Sequence, residues 1–158
     1  MFKKVTCFIP MLIMLLNLAA CVTQGDTFHR IDKKVNGFTK HYEESQFAIT
    51  ERGSYDVELL LRDNGLCVGQ NEFELIVHDS RDADVEGAKI TMALKSSGRD
   101  FVDLGVKVSD KGNGLYSVKD LTVDSPDPAK LKVTVSFKGI EDNAIFSFPY
   151  VSAAKTKS

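Results

Sequence analysis

Apolar and polar residues alternate along most of the chain, most clearly in residues 68–94. Phe73, Leu75 and Val77 alternate with Glu72, Glu74 and Ile76, and a polar or small stretch from Asp79 to Gly87 follows. Ile90, Met92 and Leu94 then alternate with Lys89, Thr91 and Ala93. A side-chain period of two with a turn-rich interruption predicts antiparallel strands that bury one face. Upstream, Phe47 and Ile49 form a short run and Glu51-Arg52-Gly53-Ser54 reads as a turn. Tyr55, Val57, Leu59 and Leu61 alternate with Asp56, Glu58, Leu60 and Arg62, so the two runs predict a β-hairpin. Asp63-Asn64-Gly65 marks the next turn, since Asn and Gly tolerate positive φ.

Downstream, Val102, Leu104, Val106 and Val108 read as one strand, and Asp110-Lys111-Gly112-Asn113-Gly114 as a turn. Tyr116 and Val118 share a face of the following run, which ends near Leu121. Asp124-Ser125-Pro126-Asp127-Pro128 breaks the chain before Leu131, Val133, Val135 and Phe137. Phe146, Phe148 and Tyr150 form a last, aromatic strand, whose Pro149 argues for a sheet edge because proline lacks a ladder donor. With no helical period beyond the first residues, the pattern predicts an all-β antiparallel sandwich of about seven to eight strands.

The beginning of the chain follows another plan. Lys3 and Lys4 precede a mostly apolar run that Leu18-Ala19-Ala20-Cys21 closes. This is a signal peptide's layout, and the run is short of the roughly 20 apolar residues of a stable span. The closing tetrapeptide resembles the lipobox of bacterial lipoproteins. The resemblance implies diacylglycerol in thioether linkage to Cys21, cleavage before it, and a fatty acid such as palmitate on the new amino end. Each buried methylene contributes about 0.8 kcal/mol, so several chains hold a protein at a membrane. The expected organisation is a lipoprotein signal peptide at 1–20, a lipidated Cys and polar tether at 21–45, a sandwich at 46–151 and a flexible tail at 152–158. The tether carries at most some order near Phe38 or Tyr42.

Charge and cysteine content narrow the function. Without Lys3 and Lys4 the chain keeps 18 Lys and Arg against 22 Asp and Glu, a net charge of −4. Nothing in that balance, and no basic stripe with interleaved aromatics, points to nucleic acid. Of the three cysteines, Cys7 lies in the leader, Cys21 is the lipidation site and Cys67 remains. On that reading the mature chain makes no intramolecular disulfide, and its core must hold the fold.

Several further residues carry the family resemblance. Val68-Gly69-Gln70-Asn71-Glu72-Phe73, Leu75-Ile76-Val77-His78-Asp79, Asp84-Val85-Glu86-Gly87-Ala88-Lys89-Ile90 and Gly112-Asn113-Gly114-Leu115-Tyr116-Ser117-Val118 resemble the YtkA-like / FixH-like family of bacterial membrane-anchored domains. The resemblance covers roughly residues 55–150. It implies an immunoglobulin-like β-sandwich outside the cytoplasmic membrane, in a family linked by context to copper handling and respiratory oxidase assembly. It also gives scaffold roles: Asn71 fixing its turn through backbone hydrogen bonds, and Val85 turning into the core. Many relatives carry a Met- and His-rich loop suited to copper. The corresponding Ser96-Ser97-Gly98-Arg99-Asp100-Phe101-Val102 has no Met, His or Cys, so copper binding does not carry over.

Candidate chemistry is sparse. Cys67 reads as a redox thiol or metal ligand, or more commonly as a small packed apolar residue. His29, His41 and His78 are far apart in sequence, whereas a metal site needs about three or four converging ligands. His78 with Met92 and Cys67 is the weak metal candidate, against an exposed strand-end His beside a turn-forming Asp79. Asp79, Asp82, Asp84 and Glu86 offer oxygens for a cation such as Ca²⁺, but lack an EF-hand's spacing and read better as a solvated loop. Ser125 has no nucleophile-elbow glycines, Glu141 and Asp142 read as turn surface, and Phe146, Phe148 and Tyr150 read as core or as a partner-binding edge. The sequence-based expectation is therefore a non-enzymatic protein without cofactor, anchored through Cys21 in the cell envelope and facing out of the cytoplasm. It contacts another envelope protein; the alternative is a periplasmic copper-handling or oxidase-assembly accessory protein.

Overall fold

The computed structural model describes residues 28–62 and 65–153, and the backbone of residues 20 and 21. The leader, the Asp63-Asn64 turn and residues 154–158 lie outside this range. Among the described residues there are twelve strands in three sheets: β1 (Ala20–Cys21), β2 (Arg30–Val35), β3 (Phe38–Tyr42), β4 (Gln46–Ile49), β5 (Tyr55–Leu60), β6 (Gly69–Asp79), β7 (Lys89–Ser96), β8 (Val102–Leu104), β9 (Lys107–Gly112), β10 (Leu115–Val123), β11 (Ala129–Phe137) and β12 (Ile140–Phe148). The first sheet has the order β4-β5-β6-β10-β9, with β1 running parallel to the start of β6 at Gln70 and Asn71. The second is β12-β11-β7-β8. Two antiparallel sheets sharing one core make the expected all-β sandwich of immunoglobulin-like kind, with more strands than the seven to eight expected.

The alternation places the core. Val57, Leu59, Leu75, Val77 and Val118 of the first sheet and Met92, Leu131, Val133, Val135, Phe146 and Phe148 of the second are all buried in one cluster. Each fully buried side chain of this kind contributes about 1.5–3 kcal/mol relative to exposure. Tyr116 is buried with them, and its hydroxyl donates to Val85 O at 2.7 Å while accepting the Ala88 N–H at 3.0 Å. That pins the 84–88 segment, where Val85 is buried as expected. Asn71 also behaves as expected: it accepts the Cys67 N–H at 2.9 Å and donates to Cys67 O and Gly69 O at 2.9 and 3.0 Å.

Four expectations are corrected. The 102–108 run is two strands in different sheets, because the chain crosses from β8 to β9 at Gly105-Val106; Val102 is left 62% exposed. The aromatic strand begins at Ile140 and ends at Phe148, so Phe146 and Phe148 enter the core while Tyr150, beyond Pro149, stays 70% exposed. β12 does lie at a sheet edge. Asp142 is buried, not turn surface, and accepts the N–H groups of Arg52, Ser54 and Asn143 at 2.9–3.3 Å. Burial works against its ionisation, but hydrogen bonds from Thr50, Asn143 and Ser54 outweigh that and lower its pKa. Glu51 N–H meets Asn143 O at 2.9 Å alongside, so the β4–β5 turn seals part of the β12 edge.

The fourth correction concerns the tether. β2 and β3 form a hairpin inside the segment read as polar linker, turning at Asn36-Gly37 with φ of 50° and 93°. Positive φ at both central residues is the geometry that matches strand twist in a two-residue hairpin.

Candidate functional site

The hairpin covers the outer face of β5 and β6, and three of the buried charged residues, Asp56, Glu58 and His78, lie beneath it. All six residues of β5 are buried: Val57 and Leu59 by the core, Asp56 and Glu58 on the other face. Asp56 and Glu58 are 0% exposed and His78 of β6 is 4% exposed. In the β5–β6 register Asp56 is the direct partner of His78, so the carboxyl and imidazole meet across the strands. His78 Nδ1 lies 3.5 Å from both Asp56 oxygens, and Nε2 lies 3.3 Å from Asp84 Oδ1. Asp56 Oδ1 has no hydrogen-bond donor. Leaving a buried carboxyl oxygen unsatisfied costs about 1–3 kcal/mol.

The hairpin supplies the rest. The His41 ring packs against His78 with centroids 4.9 Å apart and planes tilted by 54°, and His41 Nδ1 contacts Asp32 at 2.7 Å. Glu58 accepts the His41 and Tyr42 N–H groups at 2.9 and 2.7 Å and the Ser45 hydroxyl. Asp82 accepts the Thr39 N–H at 2.8 Å and its hydroxyl at 2.6 Å, and pairs with Lys34 at 2.5 Å. A carboxylate that takes several such donors is held ionised. Burial pushes Asp82 up, but these donors win and bring its pKa down to about 2. Asp56 moves the other way: burial raises its pKa, only partly offset by His78. Burial lowers the His78 value, but Asp56, Asp84 and Asp82 outweigh it and the net shift is upward. Both shifts favour retention of a proton between Asp56 and His78.

The sequence-based candidates are dispersed by the fold. His78 is buried and paired, not an exposed strand-end residue. Met92 points into the core from the opposite sheet. Cys67 precedes β6 while His78 lies near its end, and the nine strand steps from Gly69 to His78 alone span roughly 30 Å. His78, Met92 and Cys67 therefore do not converge, and no group of three or more His, Cys, Asp or Glu able to hold a metal occurs among the described residues. The acidic loop is bonded within the protein: Asp79 accepts the Arg81 and Ala83 N–H groups, Glu86 accepts the Asn113 N–H, and Asp82 and Asp84 hold the hairpin and His78. His29 contacts Glu44 at the surface.

Cys67 is corrected too. It is buried and disulfide-bonded, where the sequence reading allowed no such bond. The other two cysteines are Cys7 and Cys21, whose side chains lie outside the described residues; the backbone of Cys21 is in register with Asn71, whose amide brackets Cys67. Lipidation of Cys21 likewise lies outside the described side chains. Asp56 and Glu58 went unrecognised in the sequence, and His41 was weighed there only as a possible metal ligand, not as a neighbour of His78. The signals for them were acidic residues at the outward positions of an otherwise apolar strand, and the Asn36-Gly37 pair that announces a hairpin able to cover them. Compared with known proteins, the chain matches no family model, no curated protein and no solved structure.

Proposed function

We propose that this chain is a lipid-anchored bacterial envelope protein of the YtkA-like / FixH-like kind, whose sandwich works by contact with another envelope protein and without catalysis. The observation that carries the reading is Leu18-Ala19-Ala20-Cys21 at the end of an apolar run, ahead of an all-β domain. The ionisable residues under the hairpin support a scaffolding role, because their polar atoms are turned on one another and on the hairpin backbone. The partner surface in this reading is the side of the sandwich where β8 and β9 end their sheets, next to exposed Val102. A sheet edge offers unpaired backbone groups to an added strand.

Acylation is tested by metabolic labelling with a radioactive fatty acid. Wild type incorporates label and fractionates with membranes, and Cys21→Ser does neither; unchanged incorporation by the mutant defeats the lipoprotein reading. A thioether and a disulfide are alternative fates of one sulfur atom, so intact-mass analysis of the membrane form, with and without reductant, assigns the sulfur of Cys21. Site-specific photocrosslinking from position 102 or 109 in native membranes identifies the partner, and the absence of any crosslink from either position removes the β8–β9 surface.

A further inference from the structure

We propose that the β2–β3 hairpin is a releasable strap, held on the sandwich while the Asp56–His78 pair keeps its proton and let go when that proton leaves in alkali. The inference does not depend on whether Cys21 carries lipid.

The hairpin is attached mainly by polar contacts. β2 is exposed along nearly its whole length, and within the two strands only Phe38 and Thr39 are buried. What ties it down are the N–H groups of Thr39, His41 and Tyr42 on Asp82 and Glu58, the Lys34–Asp82 pair, and the His41 ring on His78. These contacts sit over two fully buried carboxyls and one buried imidazole. A buried charge is tolerated when it is paired and becomes strongly destabilising when its partner is neutralised. Asp56 has one cationic partner, His78, and already holds an oxygen without a donor. Removing the proton from His78 leaves Asp56 as an uncompensated charge under the hairpin. The available relief is to admit water, and water enters by lifting the element that excludes it.

The surrounding charges agree with this direction. The titratable and charged groups on the elements around His78 are Asp56 and Glu58 on β5, Asp79 on its own strand, Arg81, Asp82 and Asp84 in the next loop, and His41 with Asp32, Lys34, Lys40 and Tyr42 on the hairpin; of these Asp56, Asp84, Asp82 and His41 act on the ring directly. Glu43 and Glu44 follow the hairpin. Carboxyls outnumber cations close to the ring, and Lys34, Arg81 and His41 are each drawn to a carboxylate of their own: Asp82, Asp79 and Asp32. A group whose folded pKa is raised contributes stability below its unfolded value and loses it as pH rises through the folded value. His78 is such a group, so its contribution is complete below about 6.5 and fades above it. The raised Asp56 value has the same sign, since ionising it under the hairpin is unfavourable. Asp82, at about 2, acts only at the acid end. The strap is therefore firmest near pH 4 and loosens above it, the share of Asp56 fading from about 3.8 upward and that of His78 from about 6.5 upward.

The test is hydrogen exchange of the full-length chain in detergent micelles from pH 6 to pH 9, corrected for intrinsic rates. Peptides from 30–42 are compared with peptides from β11 in the same sample. The expected result is at least a tenfold rise in hairpin exchange relative to β11 in wild type. In Asp56→Asn, which removes the charge that needs the imidazolium, the ratio stays flat. The inference is overturned if hairpin and β11 protection keep a constant ratio across the range, or if Asp56→Asn opens with the wild-type profile. Should Asp56→Asn not fold, the wild-type ratio alone decides.

Discussion

Replacing Gly114 by alanine isolates one steric contact between the β9–β10 turn and the candidate site. Gly114 has φ +67°, and its carbonyl accepts the Val77 N–H at 2.9 Å. A Cβ added there would lie 2.7 Å from Val77 O, closer than real Cβ contacts go, and 3.4 and 3.5 Å from Oδ1 and Cα of Asp84. The nearest atom is backbone of β6 and cannot swing aside. The left-handed conformation costs an L-residue about 1–2 kcal/mol. Forcing an extra methyl against packed backbone costs about 1–3 kcal/mol. The loss of unfolded-state entropy on going from Gly to Ala returns about 0.4–1 kcal/mol. The net expectation is a destabilisation of about 2–4 kcal/mol, or roughly 5–15 °C in Tm for a chain of this size. Gly112 supplies the control. It also has positive φ, +83°, but a Cβ there meets nothing within 4 Å. Gly112→Ala carries only the conformational part, about 1 kcal/mol. Equilibrium urea unfolding followed by circular dichroism measures both variants. Equal losses in the two would refute the reasoning, because they would show that the approach to Val77 O carries no cost.

Two further outcomes follow from the same geometry. Tyr116→Phe leaves Val85 O and the Ala88 N–H without their partner; a loss of about 1–3 kcal/mol in urea unfolding is expected, with faster exchange confined to the 84–88 segment, and a loss below about 0.5 kcal/mol would mean that water replaces the hydroxyl there. Asp82 has a depressed pKa, so its contribution is complete above the ordinary aspartate value near 3.8 and is lost as pH falls through about 2; wild type should show hairpin exchange rising between pH 4 and 2 and Asp82→Asn should lack that rise, and a rise that persists in Asp82→Asn would assign it to another carboxyl.

Much of the sandwich was legible because a half-buried strand writes its buried face into every second residue. Leu131, Val133 and Val135, or Phe73, Leu75 and Val77, tell which side is inside wherever the other side meets water. The same rule misled at β5. Asp56 and Glu58 stand where an exposed residue belongs, yet a third layer covers them. It misled again at 102–108, where an unbroken alternation hides a crossing from one sheet to the other. Alternation reports local facing and carries nothing about which sheet a strand joins.

The sequence by itself determined the strand periodicity, the turns at Gly53 and Gly112-Asn113-Gly114, and the content of the core, because these depend on backbone preference and on the two faces of a single strand. It also placed the apolar run and Cys21. Tertiary structure alone decided that the 30–42 hairpin lies over β5 and β6, that Asp56 and Glu58 lose all contact with water, and that His78 sits between Asp56 and Asp84 against His41. Those relations join residues up to about fifty positions apart, and they arise from the desolvation of charges by a layer whose docking no local pattern encodes.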